Sequence, residues 1–297
     1  MGDLWARALP HYLEAWGVPV RDLYDGWETR SRSTGGFDGV WGVGVHHTAS
    51  RASVDNDCAY MWRNAADRPI GNVLLDRDGL VTVGCAGASN TQGKGGPVHT
   101  ARGAIPQDSG NRYLFSIEAA NDGAGEVWPD AQQSTYVALV CAVMDWATHE
   151  TPGPPLACGD VLSHYEWACG RQSKVDPAGP SQWSKPSGGG EANMWRMDDF
   201  RGSVFAHANA VVPVPPRPPG DDDMAQPDVV QINSEWDGLG VGSVCIADPY
   251  HQTYRHVGDE DELNQLRMSF DRKGWVFPEP IPPIPGWWLK QYGKRLD

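Results

Sequence analysis

Two adjacent histidines, His46 and His47, a distant His164 and the triplet Lys174-Val175-Asp176 are the residues whose types and spacing can do chemistry in this chain. Two imidazoles and a carboxylate make a three-ligand zinc site with an open fourth position, the arrangement that a hydrolytic zinc needs. The run Gly42-Val43-Gly44-Val45 is short, apolar and β-compatible, which predicts a buried strand ending on the histidine pair and fixing ligand direction. Successive side chains on a strand alternate, so His46 and His47 point to opposite sides and only one of them faces a given metal. Spacing alone leaves that choice even.

His164 and Asp176 are too far apart in sequence to pair on one helix, so a loop must join them, and Gly170 and Pro177 supply its breaks. Hydrolysis also needs a base for the proton of the attacking water and a positive group for the oxyanion. Glu118 lies in the apolar, strand-like run Leu114-Phe115-Ser116-Ile117-Glu118-Ala119-Ala120-Asn121, where desolvation raises a carboxyl pKa toward useful values. Lys174 projects to the same side as Asp176 in an extended segment. Each of these residues alone has a plainer reading: a core histidine, a strand-end glutamate paired with an arginine, a solvated lysine. Their combination favours the site. Cys169 is the weaker alternative for the third ligand, because it follows His164 so closely.

Four motifs occur in order along roughly residues 10 to 200: Gly26-Trp27-Glu28-Thr29-Arg30, Val45-His46-His47-Thr48-Ala49, Ile117-Glu118, and His164-Tyr165-Glu166-Trp167 through Lys174-Val175-Asp176-Pro177-Ala178-Gly179-Pro180. On these the chain resembles the zinc-dependent N-acetylmuramoyl-L-alanine amidases of the type-2 class, relatives of peptidoglycan recognition proteins, and in particular endolysins of bacteriophages that infect actinobacteria. The resemblance implies a mixed central β-sheet flanked by helices. It implies Zn2+ held by His46, His164 and Asp176, with His47 packing or hydrogen-bonding behind the metal. It also places Lys174 at the oxyanion and Glu118 as base, because Asn72 stands where other members carry a tyrosine. His47, Asn72 and His99 remain as candidate substrate contacts. The loop from His164 to Asp176 is somewhat longer than in close relatives, a change that is cheap in closure entropy.

At 297 residues the chain has room for one large or two modest domains, and its 40% hydrophobic content is ordinary for a globular protein. A formal charge of −14 argues against nucleic-acid or anionic-lipid partners, which need clustered Lys and Arg. The longest apolar run, Val137 to Val143, is too short to span a bilayer, so no membrane insertion is expected. Met1 to Arg7 shows no secretory signal. The resemblance therefore implies synthesis in the host bacterial cytoplasm and holin-dependent release to the wall. Six cysteines show no Cys-x-x-Cys pair, which speaks against a structural zinc knuckle, and a Cys158–Cys169 bridge is left open.

Residues 7–16 read as a short helix, 53–66 as a second and 131–149 as the clearest, with apolar residues at helical spacing and Pro152-Gly153 behind it. Residues 72–75 and 80–84 flank Asp76-Arg77-Asp78-Gly79, a hairpin signal. A Gly-rich loop over 86–103 carries His99 toward the cleft, and a last helix is expected over 192–210. This is an α/β architecture. The expected organisation is a zinc amidase domain at 1–210, a Pro-rich linker at 211–227 and a small α+β domain at 228–297 that binds a wall polymer. In the last region strands are read at 241–247 and 254–257, a helix at 259–269, and Trp287-Trp288 as a surface pair.

The leading function is hydrolysis of the amide between N-acetylmuramic acid and L-alanine in bacterial peptidoglycan, ending in lysis of the host wall. The alternatives are a receptor that binds peptidoglycan without cutting and a zinc peptidase that cuts elsewhere in the peptide stem. The ligand set disfavours the first, and only the resemblance disfavours the second.

Overall fold

The computed structural model describes residues 4–33, 35–63, 69–184 and 193–210, with five short strands between 228 and 295. The chain divides into two compact units, Met1–Pro213 and Val214–Asp297. In chain order the first unit contains α1 (Leu9–Ala15), β1 (Val20–Leu23), β2 (Gly42–His47), α2 (Val54–Trp62), β3 (Val73–Leu75) and β4 (Val81–Val83). These are followed by β5 (Val98–Thr100), β6 (Gly103–Ile105), α3 (Gly110–Tyr113), β7 (Leu114–Ala119), α4 (Asp130–Glu150), β8 (Val161–Ser163), α5 (His164–Ala168) and α6 (Met197–Ala210).

A mixed six-stranded sheet in the order β1-β4-β3-β7-β2-β8 forms the centre, flanked by helices. Only β3 and β4 run antiparallel, as a hairpin; the other neighbours are parallel. The hairpin turn is held by Asp76, whose Oδ1 accepts from the backbone of Asp78 and Leu80. Strands β2 and β7 are buried along their whole length, as expected of central parallel strands covered on both faces. Their two faces differ in chemistry. Val43, Val45, Phe115 and Ile117 join the main core with Leu139, Val140 and Val143 of α4, and α1 and α6 pack against α4. The register pairs Gly44 with Ser116 and His46 with Glu118, so by alternation these four residues share the opposite face. There Met61 and Trp62 of α2 pack with Leu74 and Ala120.

Helix α2 starts at a Ser53 cap that accepts from the Asn56 amide, and it ends at Trp62, short of the expected Ala66. The expected 86–103 loop contains β5, which pairs with β6 as a separate antiparallel hairpin. Helix α6 begins at Met197, later than the expected 192. Cys158 and Cys169 are free thiols, so the bridge left open between them is absent. Among the described residues no helix is long and apolar enough to cross a membrane.

The second unit holds a five-stranded sheet in the order β12-β9-β10-β11-β13, formed by β9 (Asp228–Ile232), β10 (Val244–Asp248), β11 (Thr253–His256), β12 (Pro283–Ile284) and β13 (Lys294–Arg295). Strands β10 and β11 fall on the two runs read as strands. The linker at 211–227, the helix at 259–269 and Trp287-Trp288 lie outside the described residues.

One contact ties α4 to the histidine strand. Strand β8 pairs with β2 only as far as Val45, which leaves the main chain of His46 without a strand partner on that side. The buried Tyr136 hydroxyl takes over, accepting from His46 N and donating to His46 O, both at 2.9 Å. Tyr136→Phe strands two buried backbone groups, so we expect a loss of about 1–3 kcal/mol. Urea unfolding should show a lower midpoint with an unchanged slope.

Candidate metal centre

Three separate pieces of backbone deliver three donors. His46 is carried by the end of β2, a strand paired with β7 on one side and with β8 on the other. His164 is the first residue of α5, at the point where β8 turns into a helix. A capping box fixes that turn: Ser163 accepts from the Glu166 amide through its hydroxyl, and Glu166 accepts from the Ser163 amide through its carboxylate. Arg201 of α6 pairs with the same Glu166 carboxylate at 2.7 Å. Asp176 arrives on the loop that follows α5, and the His164 amide donates to its carbonyl at 3.1 Å.

The donor atoms converge. His46 Nδ1 and His164 Nδ1 are 3.0 Å apart, and Asp176 Oδ2 lies 3.0 Å from the first and 2.9 Å from the second. Among the described residues these three form the group able to hold a metal ion. Two ring nitrogens this close cannot both point protons at each other, whereas a cation between them accepts all three lone pairs. Tetrahedral zinc with bonds near 2.0–2.1 Å separates neighbouring donors by about 3.3 Å, so a few tenths of an ångström of expansion would seat it. Two imidazoles and one carboxylate also suit zinc chemically.

The charges around this cluster are pushed apart by burial and pairing. Burial pushes the Asp176 carboxyl up, but the hydrogen bonds with His164 and His46 outweigh it and hold the group well below the usual carboxylate range. Burial lowers His46 to about 4, against the contrary pull of Asp176, so the ring is neutral and free to ligate. Glu118 is shifted the other way. Burial first, and then the Asp176 charge, raise its carboxyl well above the ordinary value, while Lys174 opposes the rise. Its Oε2 is buried without a hydrogen-bond partner. Space for it depends on Gly71, at φ +71°, where a Cβ would sit 2.9 Å from Glu118 Cγ.

A cleft of about 770 Å³ opens over the cluster. Glu118, His164, Lys174 and Asp176 line it together, and Tyr60, Met61 and Ile70 add an apolar wall. The remaining candidates are placed differently from one another. His47, on the opposite side of β2 from His46, lines the cleft but uses its Nδ1 to accept from the Ala178 amide at 3.0 Å. It thereby holds the loop that carries Asp176, which Trp128 also holds by donating from Nε1 to Ala178 O. The expectation of a substrate contact at Asn72 is corrected: the residue is 0% exposed, its amide donates to Cys85 O and Gly87 O, and its Oδ1 accepts from Ser89 Oγ and Ser116 N. No polar atom is left for a ligand. His99 is exposed on β5, in the hairpin outside the central sheet, and does not line this cleft. Cys169 is exposed, with its thiol on Glu166 O, and is not in the donor cluster. Sequence reasoning missed Tyr136 and Gln92, whose contacts arise only when distant segments meet. The glycine at 44, two residues before His46, is the one local hint.

Residues 37–179 match the family model described as N-acetylmuramoyl-L-alanine amidase. That segment contains His46, Glu118, His164, Lys174 and Asp176. No curated protein sequence matches the chain significantly. Among solved structures, the chain is similar to the N-acetylmuramoyl-L-alanine amidase LysC from Clostridium intestinale URNW, at 12% identity over 63% of this chain and 97% of the other, with a TM-score of 0.40. It is also similar to the Staphylococcus aureus hydrolase AmiA in complex with its ligand, at 13% identity, 69% and 93% coverage and a TM-score of 0.39. The third is AmpDh3 from Pseudomonas aeruginosa, at 14% identity, 86% and 75% coverage and a TM-score of 0.40.

Two outcomes follow from this geometry. Zinc titrated against a chromophoric chelator should bind His47→Ala within about tenfold of the unchanged protein, as for loss of a supporting contact, while His46→Ala should lose the site. The opposite ranking would mean that the pair is assigned backwards. Glu118 has a raised folded-state pKa, so its contribution to stability is present below the ordinary carboxyl value and is lost as pH rises through the folded one. Glu118→Gln stays neutral throughout. Without metal it should melt a few degrees above the unchanged protein at about pH 8 and nearly level with it at about pH 4.

Proposed function

We propose that residues 1–210 form a zinc-dependent amidase that hydrolyses the bond between N-acetylmuramic acid and L-alanine in bacterial peptidoglycan. The observation that carries this reading is the convergence of His46, His164 and Asp176 beneath a cleft that also receives Glu118 and Lys174. The family match over 37–179 supports the class of substrate.

Zinc, when bound, supplies Lewis acidity toward the scissile carbonyl and acidifies water. The chain's own residues do the rest. Glu118 takes the proton of the attacking water as its oxygen bonds to the carbonyl carbon, and a raised proton affinity suits a base that must hold that proton. The same carboxyl then passes the proton to the amide nitrogen as the carbon–nitrogen bond breaks, releasing an amine and a carboxylate. The Lys174 ammonium lies on the cleft wall, where it opposes the negative charge that develops on the carbonyl oxygen. His47 and the Asp176–Ala178 loop keep the third donor in place.

The motif resemblance to endolysins supports a role in lysis of an actinobacterial host by its phage, with release from the cytoplasm through holin pores. In that setting residues 211–227 act as a linker and residues 228–297 as a binder of wall polymer, raising the local concentration of the catalytic unit at an insoluble substrate.

Mass spectrometry of purified wall digested by the full chain should show new L-alanine amino termini and no new reducing sugars. New reducing ends would sink the reading in favour of a glycosidase. Cuts within the stem would favour a peptidase. Glu118→Ala should keep zinc and lose about 10²–10⁴-fold in turnover.

A further inference from the structure

A histidine that binds metal through Nδ1 carries its remaining proton on Nε2, and that proton fixes the ring only if it meets an acceptor. Both ligand rings send their Nε2 atoms to the same residue. His164 Nε2 lies 3.1 Å from the main-chain oxygen of Gln92, and His46 Nε2 lies 3.1 Å from the end of the Gln92 side-chain amide. That end of the amide is also 2.9 Å from Ser116 Oγ. We infer that Gln92 is the positioning residue of the metal centre, setting the tautomer of both ligand histidines through its backbone carbonyl and its side-chain carbonyl at once.

The main-chain half is direct, because a carbonyl oxygen can only accept and so keeps the His164 proton on Nε2. The side-chain half depends on which end of the amide faces His46, and the two ends are interchanged by a half-turn of the group. With Oε1 toward His46 it accepts from the ring and from the Ser116 hydroxyl together. The half-turn exchanges two hydrogen bonds for two, and in either orientation the other end of the amide, Oε1 as it stands, is the one left buried without a partner. The amide therefore follows the ring: Nε2 faces a His46 that keeps its proton on Nδ1, and Oε1 faces a His46 that ligates through Nδ1.

The surroundings are built for this group. Gln92 is 0% exposed, and its amide N–H donates to Asn111 Oδ1 at 2.7 Å. Gln172, from the loop beyond α5, donates to the same Gln92 carbonyl at 3.2 Å. Strand β2 makes room with Gly44, where a Cβ would lie 2.2 Å from Gln92 Nε2 and 3.0 Å from His46 Nε2. A side chain at 44 would occupy the place of the amide. A residue that only filled space would not require acceptor atoms at both rings.

The inference rests on the zinc reading above, so its test reads metal affinity as well as activity. Zinc affinity is measured on the full chain by chelator competition, with cobalt absorption as a report on coordination. Gln92→Met keeps the length of the side chain and removes the acceptor; zinc binding should weaken about 10–100-fold, and excess zinc should restore much of the activity. Gln92→Glu keeps an acceptor for both donors and should hold zinc at least as tightly as the unchanged protein. Equal affinity in Gln92→Met and the unchanged protein, or equal weakening in both variants, would overturn the inference and leave a packing role. If circular dichroism shows that Gln92→Met does not fold, Ser116→Ala replaces it: weaker zinc with Gln92→Glu unaffected supports the assignment, and unchanged zinc overturns it. An unchanged protein that binds no zinc would sink the metal reading itself, whereas a zinc-loaded, active protein indifferent to Gln92→Met sinks this inference alone.

Discussion

The parallel pairing of β2 with β7 is the constraint on which the rest of the structure depends. It sets His46 opposite Glu118 in register, on one face of the sheet, before any loop takes part. A slip of one residue would turn the side chains of the strand that moved to the other face, so that His46 and Glu118 would no longer share one. The register is secured from the other face. There Val43, Val45, Phe115 and Ile117 pack in the main core, and a one-residue shift of either strand would turn its pair out of that core. A large hydrophobic term thus fixes a small polar geometry, and Tyr136 extends the control by holding the His46 main chain where β8 stops.

The polar face is costly to maintain, and its composition reflects that. Glu118 sits buried with an unpaired oxygen and a raised pKa, and Asp176 is kept charged only by its two histidine partners. Buried groups of this kind destabilise a fold unless something binds them. A cation among the three donors would take up the lone pairs that Asp176 and the two histidines turn toward one another. Glu118 would still lack a partner until a substrate or water supplied a proton. The apolar mass of α1, α4 and α6 on the opposite side supplies the stability that the polar face lacks.

Much of this was legible in the sequence because the signals are local. The β2 run, the hairpin around Asp76-Arg77-Asp78-Gly79, the Glu118 strand and α4 each carry their own periodicity or turn chemistry, and each appears where expected. What was not legible depends on contacts between distant segments. The short elements β1, β8 and α5 have too few residues for periodicity to speak, and β8 in particular exists because β2 offers it an edge. Asn72 looked like a replacement for a site residue. Its side chain instead completes the hydrogen bonds of a buried turn, a role that only the neighbouring backbone reveals. Gln92 was silent for the same reason, although the missing side chain at Gly44 was the trace it left on β2.

The two adjacent histidines bring these strands of argument together. Because a β-strand sends neighbouring side chains to opposite sides, His46 and His47 cannot share one metal, and the doublet would be wasteful if only ligation mattered. The structure gives both a task in the same site. His46 presents a donor on one side of β2, while His47 on the other accepts from Ala178 and so anchors the loop whose Asp176 supplies the third donor. One strand end therefore positions two of the three converging donors, one directly and one through the loop. The excursion from His164 to Asp176 is closed at its far end by that hydrogen bond and by the one from the His164 amide to the Asp176 carbonyl, and closure entropy grows only slowly with the length between them.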